Sequence, residues 1–229
     1  MKIICIIPAR GGSKGIPKKN IIDVNGKPLI SYSIEPAIKA KELGLVDKVI
    51  VSTDSEEIAN ISAEYGAEIP FLRPEDISGD KAKSVEFIKH ALEYYNNLGI
   101  KYDAVLLLQP TSPLRTLEDL VDSINLYINS TNDSLISAYE EEYINDLVIY
   151  KMADDGKTSI PVNQLHNKGV RRQEHGSLYV RNGCIYISSV ELIDKGFVIG
   201  EAPLMYIMEK NKSVNVDTFE DLELLRKLL

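Results

Sequence analysis

The opening of the chain, KIICIIPA running straight into RGGSKGIPKKN, constrains the fold more than any other stretch. A continuous apolar run with no polar alternation reads as a strand covered on both faces, as in a parallel sheet flanked by helices. The same kind of run returns in KVIVSTD and in AVLLLQ at residues 104–109, with amphipathic segments between them. PLISYSIEPAIKAKEL and SEEIANISAEYG have helical periodicity, and Ser55 followed by Glu56 and Glu57 reads as an N-cap with an acidic first turn. Helices are also expected at residues 85–98, 117–128 and 190–195. The fold class that follows is α/β, a doubly wound, mostly parallel sheet, and the 229 residues read as a single domain. Between about residues 134 and 172 the rhythm breaks. SLISAYEEE reads as a strand, NDLVIYKMADDGK as a hairpin-like excursion, and NQLHNKGVRRQEHG as polar and irregular. An insertion this long in a compact domain is usually functional or intersubunit, so it reads as a dimerisation arm.

After the first strand, Gly11, Gly12 and Gly15 permit tight turns whose amides can face phosphate oxygens, while Arg10, Lys14, Lys18 and Lys19 supply positive charge. The loop is neither a Walker A sequence nor a GxGxxG dinucleotide fingerprint. Its place after the first strand of a doubly wound sheet puts it near the carboxyl-end crevice where such folds bind ligands. A net charge of -8 argues against general affinity for nucleic acid, so a polyphosphate site has to be a local cluster. The two cysteines, Cys5 and Cys184, sit in strand-like runs and read as buried free thiols. No stretch reaches the ~20 apolar residues of a membrane helix and no signal-peptide pattern precedes the first strand, so a cytoplasmic protein is expected. No His/Cys/Glu spacing resembles a zinc site, and His166 and His175 read as loop histidines.

PARGGSKGIPKKN resembles the nucleotide loop of CMP-sugar synthetases, specifically the acylneuraminate cytidylyltransferases. Further blocks match in order: VSTDS at 51–55, LRPEDISGDKAKSVE at 72–86, LLLQPTSPLR at 106–115, RRQ at 171–173, RNGCIYI at 181–187 and YIMEKNKSVNVDTFEDLE at 206–223. The resemblance covers essentially the whole chain. It implies that Arg10, Ser13, Asn20, Arg73, Ser84, Gln109 and Thr111 bind CTP, with Gln109 nearest the base. A glutamine carries both donor and acceptors for a cytosine edge, and an arginine forks onto phosphate. Lys14, Lys19, Arg171, Arg172 and Gln173 become the candidates for organising phosphate and acidic-sugar charge. Ala82 stands where relatives can have serine. The residues alone leave plainer roles open: a surface ion pair for Arg73, a strand-end polar group for Gln109, a pairing of Arg115 with Glu118 or Asp119, a helix cap for Thr116, and a basic rim for RRQ.

The implied cofactor is Mg2+. Relatives commonly carry Asp-x-Asp near the C-terminus, two carboxylates on one side of a strand. Here the pair is Asn215 and Asp217, so one member offers only a neutral carbonyl oxygen. Asp217 could instead cap the helix that follows. The expected reaction is attack of the anomeric hydroxyl of an acidic nine-carbon sugar on the α-phosphorus of CTP, releasing pyrophosphate, in a homodimer. An N-acylneuraminate is the first expectation for the sugar, with legionaminate or pseudaminate as alternatives and 3-deoxy-manno-octulosonate disfavoured because a VQGDEP-like segment is missing. A CTP-binding relative without turnover is the rival reading, with Asn215 as its signal.

Overall fold

A computed structural model describes residues 1–13, 15–142, 144, 146–168 and 176–229. In chain order the elements are β1 (Ile3–Pro8), β2 (Asp23–Val24), β3 (Lys27–Pro28), α1 (Ser31–Glu42), β4 (Lys48–Ser52), α2 (Glu56–Glu64), α3 (Ser84–Asn97), β5 (Ala104–Leu107) and α4 (Leu117–Ile128). They continue with β6 (Ser134–Glu141), β7 (Tyr150–Met152), β8 (Ser159–Pro161), β9 (Leu178–Ser189), α5 (Val190–Asp194), β10 (Leu204–Ile207) and α6 (Phe219–Leu228).

The main sheet has six strands in the order β10-β6-β9-β5-β1-β4. β1 is parallel to β4 and β5, and β10 is parallel to β6, whereas β9 runs antiparallel to both its neighbours. The continuous apolar run of β1 is divided by its pleat. Ile3, Cys5 and Ile7 enter a core beneath α1 and α4, while Ile4 and Ile6 enter a second core with Phe87, Ile88, Ala91 and Leu92 of α3. Cys5 and Cys184 are free and buried, and burial pushes the Cys5 thiol up to about 12, so it stays protonated and inert.

Local chemistry accounts for the helix starts. Ser55 Oγ accepts from Ile58 N at 3.4 Å to open α2. Thr116 and Asp119 form a reciprocal cap on α4, with Asp119 N donating to Thr116 Oγ1 and Thr116 N donating to Asp119 Oδ2. Thr218 and Asp221 do the same for α6. The irregular segment contains a hairpin in which β7 and β8 pair around Gly156, at φ 66. β6, which opens the segment, belongs to the main sheet. Among the described residues no helix is long and apolar enough to cross a membrane.

A third, smaller core fixes the geometry of the site. Ile16 of the glycine loop, 1% exposed, packs with Val24, Leu29, Val216, Leu222 and Leu225. Burying that one side chain contributes about 1.5–3 kcal/mol toward holding the N-terminal loop against the C-terminal segment.

Candidate active site

The carboxyl ends of β1 and β5 open into a cavity of about 470 Å3, at the point where the chain passes from one side of β1 to the other. Arg10, Ser13, Lys19 and Asn20 line it from the glycine loop, Arg73 and Ser84 from the segment that leads into α3, and Gln109 and Thr111 from the turn after β5. Asp217 closes one side. A second cavity of about 540 Å3 shares Gln109, Thr111 and Asp217 with the first and extends over β9 to Arg181, Asn182 and Tyr186. The two compartments therefore meet at the end of β5.

The cations are held by specific partners. Arg73, 6% exposed, donates through Nε to Ser52 Oγ at 3.0 Å and through its terminal nitrogen to the Ser52 carbonyl, and lies 4.6 Å from the centre of the Phe87 ring. Burial lowers its pKa to about 10, with Asp54 opposing the shift and Arg10 adding to it, so it remains charged at neutral pH. The surface ion pair left open by the residues alone does not form; the guanidinium is clamped to β4 and faces the cavity. Arg10 pairs with Asp80 at 2.7 Å. Asn20, also 6% exposed, donates from Nδ2 to the Arg10 carbonyl at 2.9 Å and so fixes the backbone of the loop it closes. The N-terminus of α3 faces this space with Ser84, adding the positive end of a helix dipole.

Lys19 and Lys18 separate. Lys18 takes a left-handed backbone conformation, φ 54, and pairs with Glu57 at 2.7 Å, away from the cavity. Lys19 donates to the Val216 carbonyl at 2.9 Å and to Asp217 Oδ1 at 2.8 Å. Asn215 Nδ2 donates to the other Asp217 oxygen. Asp217 is not the cap of α6, because Thr218 fills that role. Its side chain is 61% exposed at the junction of the two cavities.

Two of the loop glycines have contacts of their own within the protein. The Gly11 amide donates to Asp54 Oδ1 at 2.7 Å, so it is committed within the protein. Gly15 is required by proximity: a Cβ there would meet the Asp217 carbonyl oxygen at less than the 3.0 Å that real Cβ atoms respect.

Arg115 also departs from the sequence reading, which left it pairing with Glu118 or Asp119. It is 3% exposed and donates to the Cys184 carbonyl at 2.9 Å, to Ser33 Oγ at 2.7 Å and to the Gln109 carbonyl. One guanidinium thus ties the turn carrying Gln109 to β9 and α1. Thr111 is fixed as well, its carbonyl accepting from Val216 N at 2.7 Å.

Residues 4–228 match the family model described as cytidylyltransferase. The chain belongs to the cytidylyltransferase family. It is 36% identical over 224 residues to a pseudaminic acid cytidylyltransferase of Campylobacter jejuni, covering 97% of this chain and 94% of that one. It is 37% identical to an N-acylneuraminate cytidylyltransferase of Escherichia coli, over 97% of this chain but 51% of the longer relative. Among solved structures, a CMP:2-keto-3-deoxy-manno-octonic acid synthetase complexed with CTP superposes with a TM-score of 0.71 at 17% identity, covering 100% of this chain and 98% of that one. A 4-diphosphocytidyl-2C-methyl-D-erythritol synthase from Anaerococcus prevotii gives 0.67 at 15% identity, covering 99% and 97%. At those identities the two structures speak for the fold.

The structure of this cytidylyltransferase brings Arg10, Ser13, Lys19, Asn20, Arg73, Ser84, Gln109, Thr111 and Asp217 around one cavity, and puts Asn215 on the neighbouring one. Lys14, Arg171, Arg172, Gln173 and His175 lie outside the described residues. The other loop histidine, His166, is 3.1 Å through Nδ1 from the Tyr150 hydroxyl on the β7–β8 hairpin. Sequence reasoning missed Asp54, Asp80, Phe87, Arg181 and Tyr186. Asp54 follows β4 in the VSTD stretch and Arg181 is a single cation within β9, so both left a trace in the sequence.

Proposed function

We propose that this cytidylyltransferase transfers CMP from CTP to the anomeric hydroxyl of a nonulosonic acid. The observation that carries the reading is the pair of contiguous cavities that meet at Gln109, Thr111 and Asp217, the first lined, among the described residues, by three cations and a helix N-terminus. In this reading the triphosphate lies along Arg10, Lys19 and Arg73, and Gln109 reads the cytosine edge. Lys14 and the Arg171, Arg172 and Gln173 segment add charge toward phosphates and sugar. The sugar enters from the second cavity, its anomeric hydroxyl meets the α-phosphorus at the shared wall, and pyrophosphate leaves along the cationic side. Such chemistry needs positioning and charge neutralisation rather than a protein nucleophile.

Asp217 fits a Mg2+ role. It is an exposed carboxylate beside the phosphate cavity, and Mg2+ is typically held by one or two carboxylates together with substrate phosphates and water. Among the described residues no group of three or more His, Cys, Asp or Glu forms a protein-only cage, which suits an ion brought with the nucleotide. When bound, Mg2+ would neutralise phosphate charge. Lys19 and Asn215 hold the Asp217 carboxylate in place, and Asn215 can add its carbonyl oxygen only by turning its amide away from Asp217.

The relatives named for pseudaminic acid and for N-acylneuraminate support the sugar class; N-acylneuraminate is the first choice from the family resemblance, with pseudaminate and legionaminate as its alternatives. The test is pyrophosphate release from CTP and Mg2+ with N-acetylneuraminate, pseudaminate, legionaminate and 3-deoxy-manno-octulosonate side by side. Turnover with a nonulosonic acid is expected and names the substrate. CTP binding with no turnover on any acidic sugar refutes the reading in favour of a noncatalytic relative.

The hairpin segment supports a homodimer. Val148, Tyr150, Met152, Ile160, Val162 and Leu165 are exposed along it, with Tyr150 and Met152 on one face of the hairpin and Ile160 on the other, and exposed apolar side chains gathered on one segment suit an interface.

A further inference from the structure

We infer that Arg181 is the anchor for the sugar's carboxylate, an inference that rests on the second cavity being the sugar compartment. In the ring form of a 2-keto acid the carboxylate is bonded directly to the anomeric carbon, which also carries the attacking hydroxyl. Whatever binds that carboxylate fixes where the attacking hydroxyl points.

The need for a cation here is severe. The chain carries a net charge of -8, and Asp217, the carboxylate on the wall the two compartments share, already takes up Lys19. Arg181 is the one Lys or Arg among the described residues lining the second cavity. Every described cation of the first cavity has a partner: Arg10 has Asp80, Lys19 has Asp217, and Arg73 has Ser52. Among the described residues no carboxylate pairs with Arg181; its guanidinium lies 5.9 Å from the centre of the Tyr186 ring, which leaves its donors available. A planar fork of donors matches a carboxylate in two parallel bonds.

The backbone is shaped to present this residue. In the pairing of β6 with β9, Ile136 faces Tyr186 and Ala138 faces Arg181, so Ser137 alone spans residues 182–185. The resulting bulge turns at Gly183, φ 76. Asn182 holds it from within: its Oδ1 accepts from Ser137 Oγ at 2.6 Å and from Cys184 N at 3.2 Å, and its Nδ2 donates to Ser213 Oγ at 2.8 Å. With its amide consumed in this way, Asn182 acts as scaffold, and Arg181 beside it takes the charged contact. Bulges commonly re-aim side chains at functional sites. Burial pushes the Tyr186 phenol up, against a smaller opposing effect of Arg181, so the ring beneath the guanidinium remains a neutral platform and hydroxyl donor.

The experiment uses the full-length protein, Arg181→Gln and Arg181→Lys, with the turned-over nonulosonic acid and its methyl ester. Arg181→Gln is expected to raise the KM for the acid roughly 10- to 100-fold, the loss of a charge-assisted pair, while the KM for CTP stays within about twofold. Wild-type protein should prefer acid over ester, Arg181→Gln should lose that preference, and Arg181→Lys should recover part of it. Calorimetric CTP binding confirms that each variant is folded. An unchanged sugar KM, an intact preference for the acid, or a parallel rise in the CTP KM overturns the inference, the last because it would put Arg181 on phosphate. If the wild type binds CTP yet turns over no acidic sugar, the proposed function itself falls, a result distinct from each of these.

Discussion

Replacing Gly15 with alanine would place a methyl group against the backbone carbonyl of Asp217, inside the 3.0 Å limit for a real Cβ. The obstacle is backbone and cannot swing aside as a flexible side chain can. Ordinary contact begins at 3.4 Å, so the loop and the C-terminal segment have to part by roughly 0.5–1 Å. Both sides resist: Ile16 is buried with Val216 and Leu222, and Val216 N donates to Thr111 at 2.7 Å. Overpacking of this kind costs about 1–3 kcal/mol, roughly 2–12 °C in Tm for a chain of this size. The displaced parts are Lys19 and Asp217, which meet at 2.8 Å, and a misplacement of about 1 Å at a reacting centre can cost ~100-fold. Gly15→Ala is therefore expected to lose about two orders of magnitude in kcat/KM for CTP in a pyrophosphate-release assay while melting only a few degrees lower. Gly12→Ala is the control, because a Cβ there meets nothing within 4 Å, and it should stay within about twofold of wild type. Full turnover by Gly15→Ala, or an equal loss in Gly12→Ala, would refute the idea that proximity selects glycine at position 15.

Asn215→Asp adds a second carboxylate beside Asp217 and should lower the Mg2+ concentration for half-maximal turnover several-fold; an unchanged Mg2+ titration would mean that position 215 lies outside the ion's reach. Asp221 accepts from the Asp217 and Thr218 amides, which hold its carboxyl below the usual range. Because the folded value is depressed, the stabilisation is present above the unfolded carboxylate pKa of about 3.9 and is lost as pH falls through the folded value. Asp221→Ala should cost about 1 kcal/mol in urea unfolding at pH 7 and much less at pH 3; an equal cost at both pH values would assign the effect to something other than ionisation. Met152→Glu combined with Ile160→Glu should convert a dimer to monomer in light scattering, and an unchanged mass would remove the hairpin from the interface. Arg115→Met should destabilise by several kcal/mol by leaving the Gln109 and Cys184 carbonyls unpaired, and a loss below about 1 kcal/mol would show that the tie is dispensable.

The boundaries of α4 were legible because Thr116 and Asp119 make its cap from residues three apart, and Leu120, Ile124 and Tyr127 repeat at helical spacing. Ile3 to Ile7 announced a two-sided strand by the absence of polar alternation, a strictly local signal. The reversal of β9 was not legible, since the same apolar residues serve a parallel or an antiparallel neighbour. Gly15 was noticed as a turn glycine, and its close approach to Asp217 was not legible. Conformational freedom is a property of one residue, but the clash that selects glycine there involves a carbonyl more than 200 positions away.

What the sequence by itself determined is the alternation of strands and helices, the family and the segments that carry the site, because periodicity, caps and collinear motifs are written over a few neighbouring residues. Only the tertiary structure decided which charge faces which partner. Lys18 and Lys19 are adjacent and chemically identical, yet one turns to Glu57 and the other to Asp217. Arg115 was open to pairing with Glu118 or Asp119 and became the buried tie of the β5 turn, and Arg181, the first residue of the RNGCIYI block, became the lone described cation of the second cavity. Electrostatic roles depend on burial and on distances of a few ångströms between residues far apart in the chain, and packing of the three cores sets those distances.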